Sequence, residues 1–212
     1  MMKQRLGRWR RNRGVVGMAV ALVSLMQAGC DDGGSVFAVS LQPFYSEAEL
    51  ESDSRLTGIW SDKEGDVSFA FEQSTAKDYK LVVMEKEGEK GASGEFEAHL
   101  VRLGGSWFLD FLPNSIQEGD EFYRIHFLRG HSIARVEIGE SSMHIAFFNA
   151  SWLKARIEEK SIDTPHEKAD GSLLLTGTTE EVQELVFLHA DDEGAFSDPL
   201  TLERQEVEEK EQ

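Results

Sequence analysis

Glu97-Ala98-His99-Leu100-Val101-Arg102-Leu103-Gly104-Gly105-Ser106-Trp107-Phe108-Leu109-Asp110 is a stretch that folds back on itself by its own chemistry. A Gly-Gly pair suits the mirror-image two-residue turns, whose backbone twist matches that of the strands they join. With Gly104-Gly105 as that turn the register follows outward: Arg102 stands opposite Trp107, Val101 opposite Phe108 and His99 opposite Asp110. Apolar side chains fall on both faces of residues 96–112, so one face must meet a helix; a helix expected at 178–190 is the cover.

The same reasoning extends in both directions. Arg129-Gly130-His131-Ser132 reads as a second tight turn, setting Phe127 against Ala134, Ile125 against Val136 and Tyr123 against Ile138, with Arg124 meeting Glu137 on the other face. A loop at Gly139 to Ser142 then lays Met143, Ile145 and Phe147 beside Ile138, Val136 and Ala134, and His144 beside Glu137. Upstream, Val67, Phe69 and Phe71 alternate with Ser68, Ala70 and Glu72. Strand runs are expected at 57–61, 67–71, 78–86, 94–103, 106–112, 121–129, 132–138 and 142–148, about eight strands with glycine-bearing turns between them. Strands in sequence, each beside its neighbour, predict a mainly β fold with minor α: an antiparallel barrel or strongly curled sheet, with a β-sandwich as the alternative. Closure removes the unpaired edges through which sheets aggregate.

Helical signals flank this core. Ser46 to Glu49 is a capping box that predicts a brief helix. Asn149 to Lys160 reads as a helix capped by Asn149 or Ser151, Leu173 to Thr176 as a short strand, and Thr178-Thr179-Glu180-Glu181 as a capping box. That box opens a helix with the stripe Val182, Leu185, Val186 and His189. The expected globular part is 46–202, followed by an acidic, disordered tail, 203–212.

The N-terminus has a different composition. Lys3, Arg5, Arg8, Arg10, Arg11 and Arg13 precede an apolar run from Val15 to Met26, and Gln27-Ala28-Gly29-Cys30 ends in the single cysteine of the chain. The order is that of a secretory signal, and the run falls short of the ~20 residues that span a bilayer. The segment resembles a bacterial lipoprotein signal. The resemblance implies cleavage after residue 29, acylation of Cys30, a tether over 30–45, and a protein exported to the cell envelope, held on the inner or outer membrane. Gln27 departs from the aliphatic residue usual in that family. The alternative is a secreted protein cut near Ala28 with a free thiol, a liability in an oxidising compartment. Two or more acyl chains are needed for stable anchoring.

Leu56-Thr57-Gly58-Ile59-Trp60 carries Gly-x-Trp at the mouth of the first main strand. This resembles the start of lipocalin-like domains. The likeness implies an eight-stranded barrel whose closed end is plugged by Trp60, a helix after the last strand, and a late arginine, here Arg204, packed on the tryptophan.

Charge narrows the partners. Without the six basic residues of the signal the chain has 16 basic against 39 acidic residues, a formal charge of −23. Such a chain repels nucleic-acid phosphates and anionic lipid heads. No serine-hydrolase elbow, phosphate loop or zinc-protease helix occurs. His99 opposite Asp110 is the one acid–base pair, weighed against a structural pair satisfying two polar groups in an apolar hairpin. His126 and His131 sit near Arg124 and Arg135, which disfavours a metal; Asp191-Asp192-Glu193-Gly194 lacks calcium-loop spacing. No cofactor or metal is expected. The expected role is non-enzymatic: a module that takes an apolar or amphipathic small molecule in the barrel, or a filled barrel that presents its acidic face to a protein partner.

Overall fold

The hairpin at Gly104-Gly105 has both glycines at positive φ, 60° and 92°, with Arg102–Trp107, Val101–Phe108 and His99–Asp110 in register. Two positive φ values make this the turn that only glycine-like residues enter without strain. The computed structural model describes residues 37–86, 91–114, 128–169 and 172–206. Its strands are β1 (Val39–Ser40), β2 (Leu50–Glu51), β3 (Gly58–Ser61), β4 (Val67–Gln73), β5 (Asp78–Glu85), β6 (Ala92–Leu103), β7 (Ser106–Pro113), β8 (His131–Ile138), β9 (Ser142–Phe147), β10 (His166–Ala169), β11 (Ser172–Leu175) and β12 (Leu200–Arg204). Helix α1 (Ala150–Glu158) follows β9, and α2 (Thr179–Leu188) follows β11.

Strands β3 to β9 pair antiparallel in sequence order, and β12 inserts between β9 and β3. The result is a closed, antiparallel, eight-stranded barrel with extra strands and two helices. Alternation decides what points inward. Val67, Phe69 and Phe71 of β4 join Trp60, Leu81, Leu100, Leu109, Phe111 and Ile145 in the interior, while Glu72 is exposed. A second apolar layer lies outside β6, β7 and β8. There Val101, Phe108 and Ile133 pack with Leu153 of α1 and with Val182, Leu185 and Val186 of α2. The two-faced β7 run thus meets helical cover, as its residues require.

The cover is anchored at β8. Its first residues pair with β1, and its later ones with β9. β11 extends β1 in parallel, and β10 completes a hairpin with β11. α2 starts on both bonds of the Thr178–Glu181 capping box, and α1 on Asn149, whose side chain accepts from the N–H groups of Ser151 and Trp152.

Several expectations are corrected. Ala134 of β8 has Leu109 of β7 on one side and Phe147 of β9 on the other, so its neighbour in the barrel is β7, while Phe127 lies outside the described residues. Alternation tells which face a residue takes and not which strand lies beside it. The rest of the pairing expected for 121–127, including Tyr123, Arg124 and Ile125, lies outside the described residues. Residues 37–45 are not a tether: Ala38 and Phe44 are fully buried, and β1 is part of the sheet. The Ser46–Glu49 box forms only half of its pair, Ser46 N–H donating to Glu49 Oε2 while Ser46 Oγ accepts from Ala48 N–H, and it closes a turn into β2 rather than a helix. Strand pairing of Leu50 with Val101 captures the chain first. Glu203 and Arg204 belong to β12, not to a tail. The signal segment, Cys30 and residues 207–212 lie outside the described residues.

At the seam, β12 places Arg204 opposite Trp60, with the guanidinium carbon 4.1 Å from the ring centre. Nη1 donates to Thr57 O at 2.8 Å, Nε to Glu140 O at 2.9 Å, and Nη2 to Arg55 O. Gly58, at φ 130°, makes room: a Cβ there would stand 2.7 Å from Nη1. Arg204→Ala is expected to cost about 3 kcal/mol, from lost charged hydrogen bonds and the cation–π contact. Urea unfolding reads it as a lower midpoint. Gly58→Ala lowers the midpoint too, and Arg204→Lys recovers little, because one ammonium cannot span three carbonyls.

Candidate functional site

Asp110 is fully buried on the outer face of β7, beneath the segment that runs from β1 to β2. The sequence put His99 across from it. In the barrel, His99 Nδ1 stands 3.6 Å from Asp110 Oδ2, too far for a hydrogen bond, and Nε2 stands 3.4 Å from Asp78. The hydrogen bond goes instead to His131 of β8, whose Nδ1 lies 2.8 Å from Oδ2 and 3.0 Å from Oδ1. His131 lies two residues before Ile133, which faces Asp110, and so on the same face, from which it reaches the carboxylate diagonally. Sequence reasoning missed this because it assigned β8 another neighbour. Tyr45 covers the group, its ring centre 5.3 Å from that of His99. Burial first, then the carboxylates of Asp110, Asp78 and Glu97, push the Tyr45 phenol well above its usual range.

Asp110 therefore lies between two imidazoles, the carboxylate–histidine arrangement that fixes ring orientation in acid–base sites. Neither cavity described below borders His99, Asp110 or His131. The cluster joins β5, β6, β7 and β8 beneath Tyr45. The segment bearing Tyr45 is also held by Phe44, whose ring meets Phe108 edge-on at 5.9 Å.

The barrel interior is the second place to look. A cavity lined by Phe69, Leu81, Val83, Phe96, Phe111, Ser132 and Phe147 has a volume of ≈ 10 Å³, room for about one water. Trp60 is fully buried, its indole N–H donating to Leu56 O. Phe37, from the segment before β1, packs its ring 5.1 Å from that of Phe147. Among the described residues, aromatic side chains pack closely around this small cavity.

The third is a cleft of ≈ 390 Å³ between the α1–β10 connection and α2. Ile162 and Leu185 form its apolar floor, Leu188 one wall, and Asp163, Glu181 and Glu184 bring carboxylates. Nothing in the sequence pattern marked it, since its residues come from a loop and the outward side of a helix.

The other sequence-marked residues are dispersed. His144 lies opposite Glu137 in the β8–β9 pair and is within 3.0 Å of Thr201 Oγ1. His189 ends α2 and bonds Asp192, while Asp191 pairs with Arg135. No group of three or more metal-ligating side chains occurs among the described residues. His126 and Cys30 lie outside them. No helix among those residues is long and apolar enough to cross a membrane. No family model matches the chain, and no curated protein and no solved structure matches it either.

Two predictions follow from the buried polar groups. Asp110→Ala strips His131 of its partner inside the protein and is expected to cost about 3–5 kcal/mol in urea unfolding. In alkaline titration followed by phenolate absorbance, Tyr45 and the buried Tyr79, also raised by burial, should stay protonated where an unfolded chain ionises, near pH 10. Because their folded pKa values lie above the unfolded ones, stability is whole below about pH 10 and falls as pH rises past it. Tyr45→Phe and Tyr79→Phe should each reduce that fall, and Asp110→Asn should bring the Tyr45 transition down.

Proposed function

We propose that this chain is a lipid-anchored protein of a bacterial cell envelope that works as an interaction module, holding a protein partner against the helical, carboxylate-rich side of a filled barrel. The packed interior carries the reading. Ligand sites measure about 300–1,000 Å³, and the cavity that the described residues leave inside the barrel, at ≈ 10 Å³, is far smaller. What remains for recognition is surface. On α2, Phe187 and Leu188 are 52% and 61% exposed, large apolar side chains turned outward beside a cleft. Exposed apolar groups rimmed by polar ones are the usual mark of a contact surface. The negative charge adds fast, selective encounter with cationic partners. The anchor rests on Gln27-Ala28-Gly29-Cys30 and the basic and apolar segments before it.

Labelled palmitate is expected to enter the wild-type protein in a bacterial host and to be absent from Cys30→Ala; equal labelling of both would remove the anchor from the proposal. Native mass spectrometry of the detergent-released protein should give the mass of the acylated chain with no additional small molecule. A bound mass shed on unfolding would instead favour the barrel as a carrier.

A further inference from the structure

The cleft beside α2 combines features that together define what fits it. Its floor is apolar: Ile162 and Leu185 are 8% and 6% exposed, and Leu188 stands up beside them. Its rim is acidic, and no lysine or arginine lines it. Asp163 and Glu184 have no ion-pair partner among the described residues, and Glu181 gives one oxygen to the Thr178 N–H. Three cations of the helical side are committed elsewhere: Arg135 to Asp191, Arg156 to Glu159, Lys168 to Glu158. The lining also includes Thr164, 7% exposed, whose hydroxyl finds no hydrogen-bond partner among the described residues.

Resting on the interaction reading above, we propose that this cleft is the docking groove and that its occupant is a basic amphipathic peptide segment of a partner protein. A bulky apolar side chain of that segment sits on Ile162 and Leu185 against Leu188, and neighbouring lysine or arginine side chains meet Asp163, Glu181 and Glu184. The volume suits a few side chains, as when an amphipathic helix lays its apolar face into a groove. A second copy of this chain is a poor occupant, because each processed copy carries 16 basic against 39 acidic residues, a formal charge of −23, and like charges would face each other. Phosphate-bearing ligands are opposed by the same carboxylates.

The test uses the full-length protein and a fluorescent synthetic peptide of lysine and leucine arranged as an amphipathic helix, with a glutamate–leucine peptide of equal length as control. Anisotropy should show binding of the first and not the second. Asp163→Lys/Glu184→Lys should weaken binding by at least about tenfold, or ~1.4 kcal/mol, and Leu188→Asp by a comparable factor. All three residues are exposed, so unchanged circular dichroism and melting are expected. Glu64→Lys/Glu72→Lys, at exposed positions on the β3–β4 side, makes the same charge change outside the helical layer and should lose less than about twofold. No binding of the lysine–leucine peptide, or equal losses in the two double variants, overturns the groove. A photo-crosslinking residue at Leu188 or at Glu72, used in cells, separates this failure from that of the wider reading. Adducts from position 72 alone leave a partner but no groove, and a second copy captured at 188 overturns the basic-peptide occupant. Adducts from neither position sink both readings. A partner joined to position 188 through a basic amphipathic segment supports the proposal.

Discussion

Closure of the barrel depends on one contact, the Arg204 guanidinium lying over the Trp60 ring where the last strand meets the first. Seven of the strands follow one another and can pair locally. The eighth, β12, arrives only after two helices and two further strands, and must slot between β9 and β3. Long-range pairing of this kind fixes much chain before it gains contacts, so the gain at the end must be large. Arg204 supplies it by tying carbonyls from three different places, at Arg55, Thr57 and Glu140, to one planar cation. Trp60 fills the interior beneath, and the missing side chain of Gly58 leaves space for the guanidinium.

The second constraint is that β6, β7 and β8 have apolar side chains on both faces. A barrel satisfies one face only. The outer face, with Val101, Phe108 and Ile133, draws in everything else: the chain from Ala38 to Tyr45, both helices and the β10–β11 hairpin. Gly104 marks the fit, since a side chain there would collide with Phe187 of α2. Asp110 lies in this same layer. A buried carboxylate needs partners, and the two histidines and the hydrogen bond to His131 meet that need while tying neighbouring strands. The polar cluster thus lies where the second layer is stacked on the barrel.

What the sequence disclosed and what it withheld divide along physical lines. Glycine turns and period-two alternation are local, so the β6–β7 register, the β8–β9 register and the inward faces of β4 were legible to the residue. Capping boxes are local too, and Thr178–Glu181 marked the start of α2. The Ser46–Glu49 box shares only the bond from its first N–H to the glutamate and opens no helix, because Leu50 and Glu51 are captured by β6. Neighbour identity in a sheet is not local: nothing in His131 to Ile138 says that β7 lies beside it. The seam strand was hidden for a related reason. Leu200-Thr201-Leu202-Glu203-Arg204 alternates, but its acidic continuation read as tail, and only its two flanking strands make it a stave. Arg204 over Trp60 was expected from a likeness to lipocalin-like domains, not from pattern. His131 as the partner of Asp110, and the cleft beside α2, depend on which elements lie together in space and left no trace in spacing.

The division of the molecule into two layers bears on where recognition can evolve. Interior residues of the barrel touch many neighbours at near-crystalline packing, so substitution there is felt throughout. The cleft residues come from the α1–β10 connection and the outward side of α2, where changes of charge alter encounter without disturbing packing. Unneutralised carboxylates in such a place do little for stability, since surface ion pairs, made or missing, are worth about 1 kcal/mol or less. Their energetic effect is felt when a cation arrives and water leaves, which strengthens the attraction between them. If the cleft is the docking groove proposed above, stability and recognition chemistry reside in different residues of this barrel.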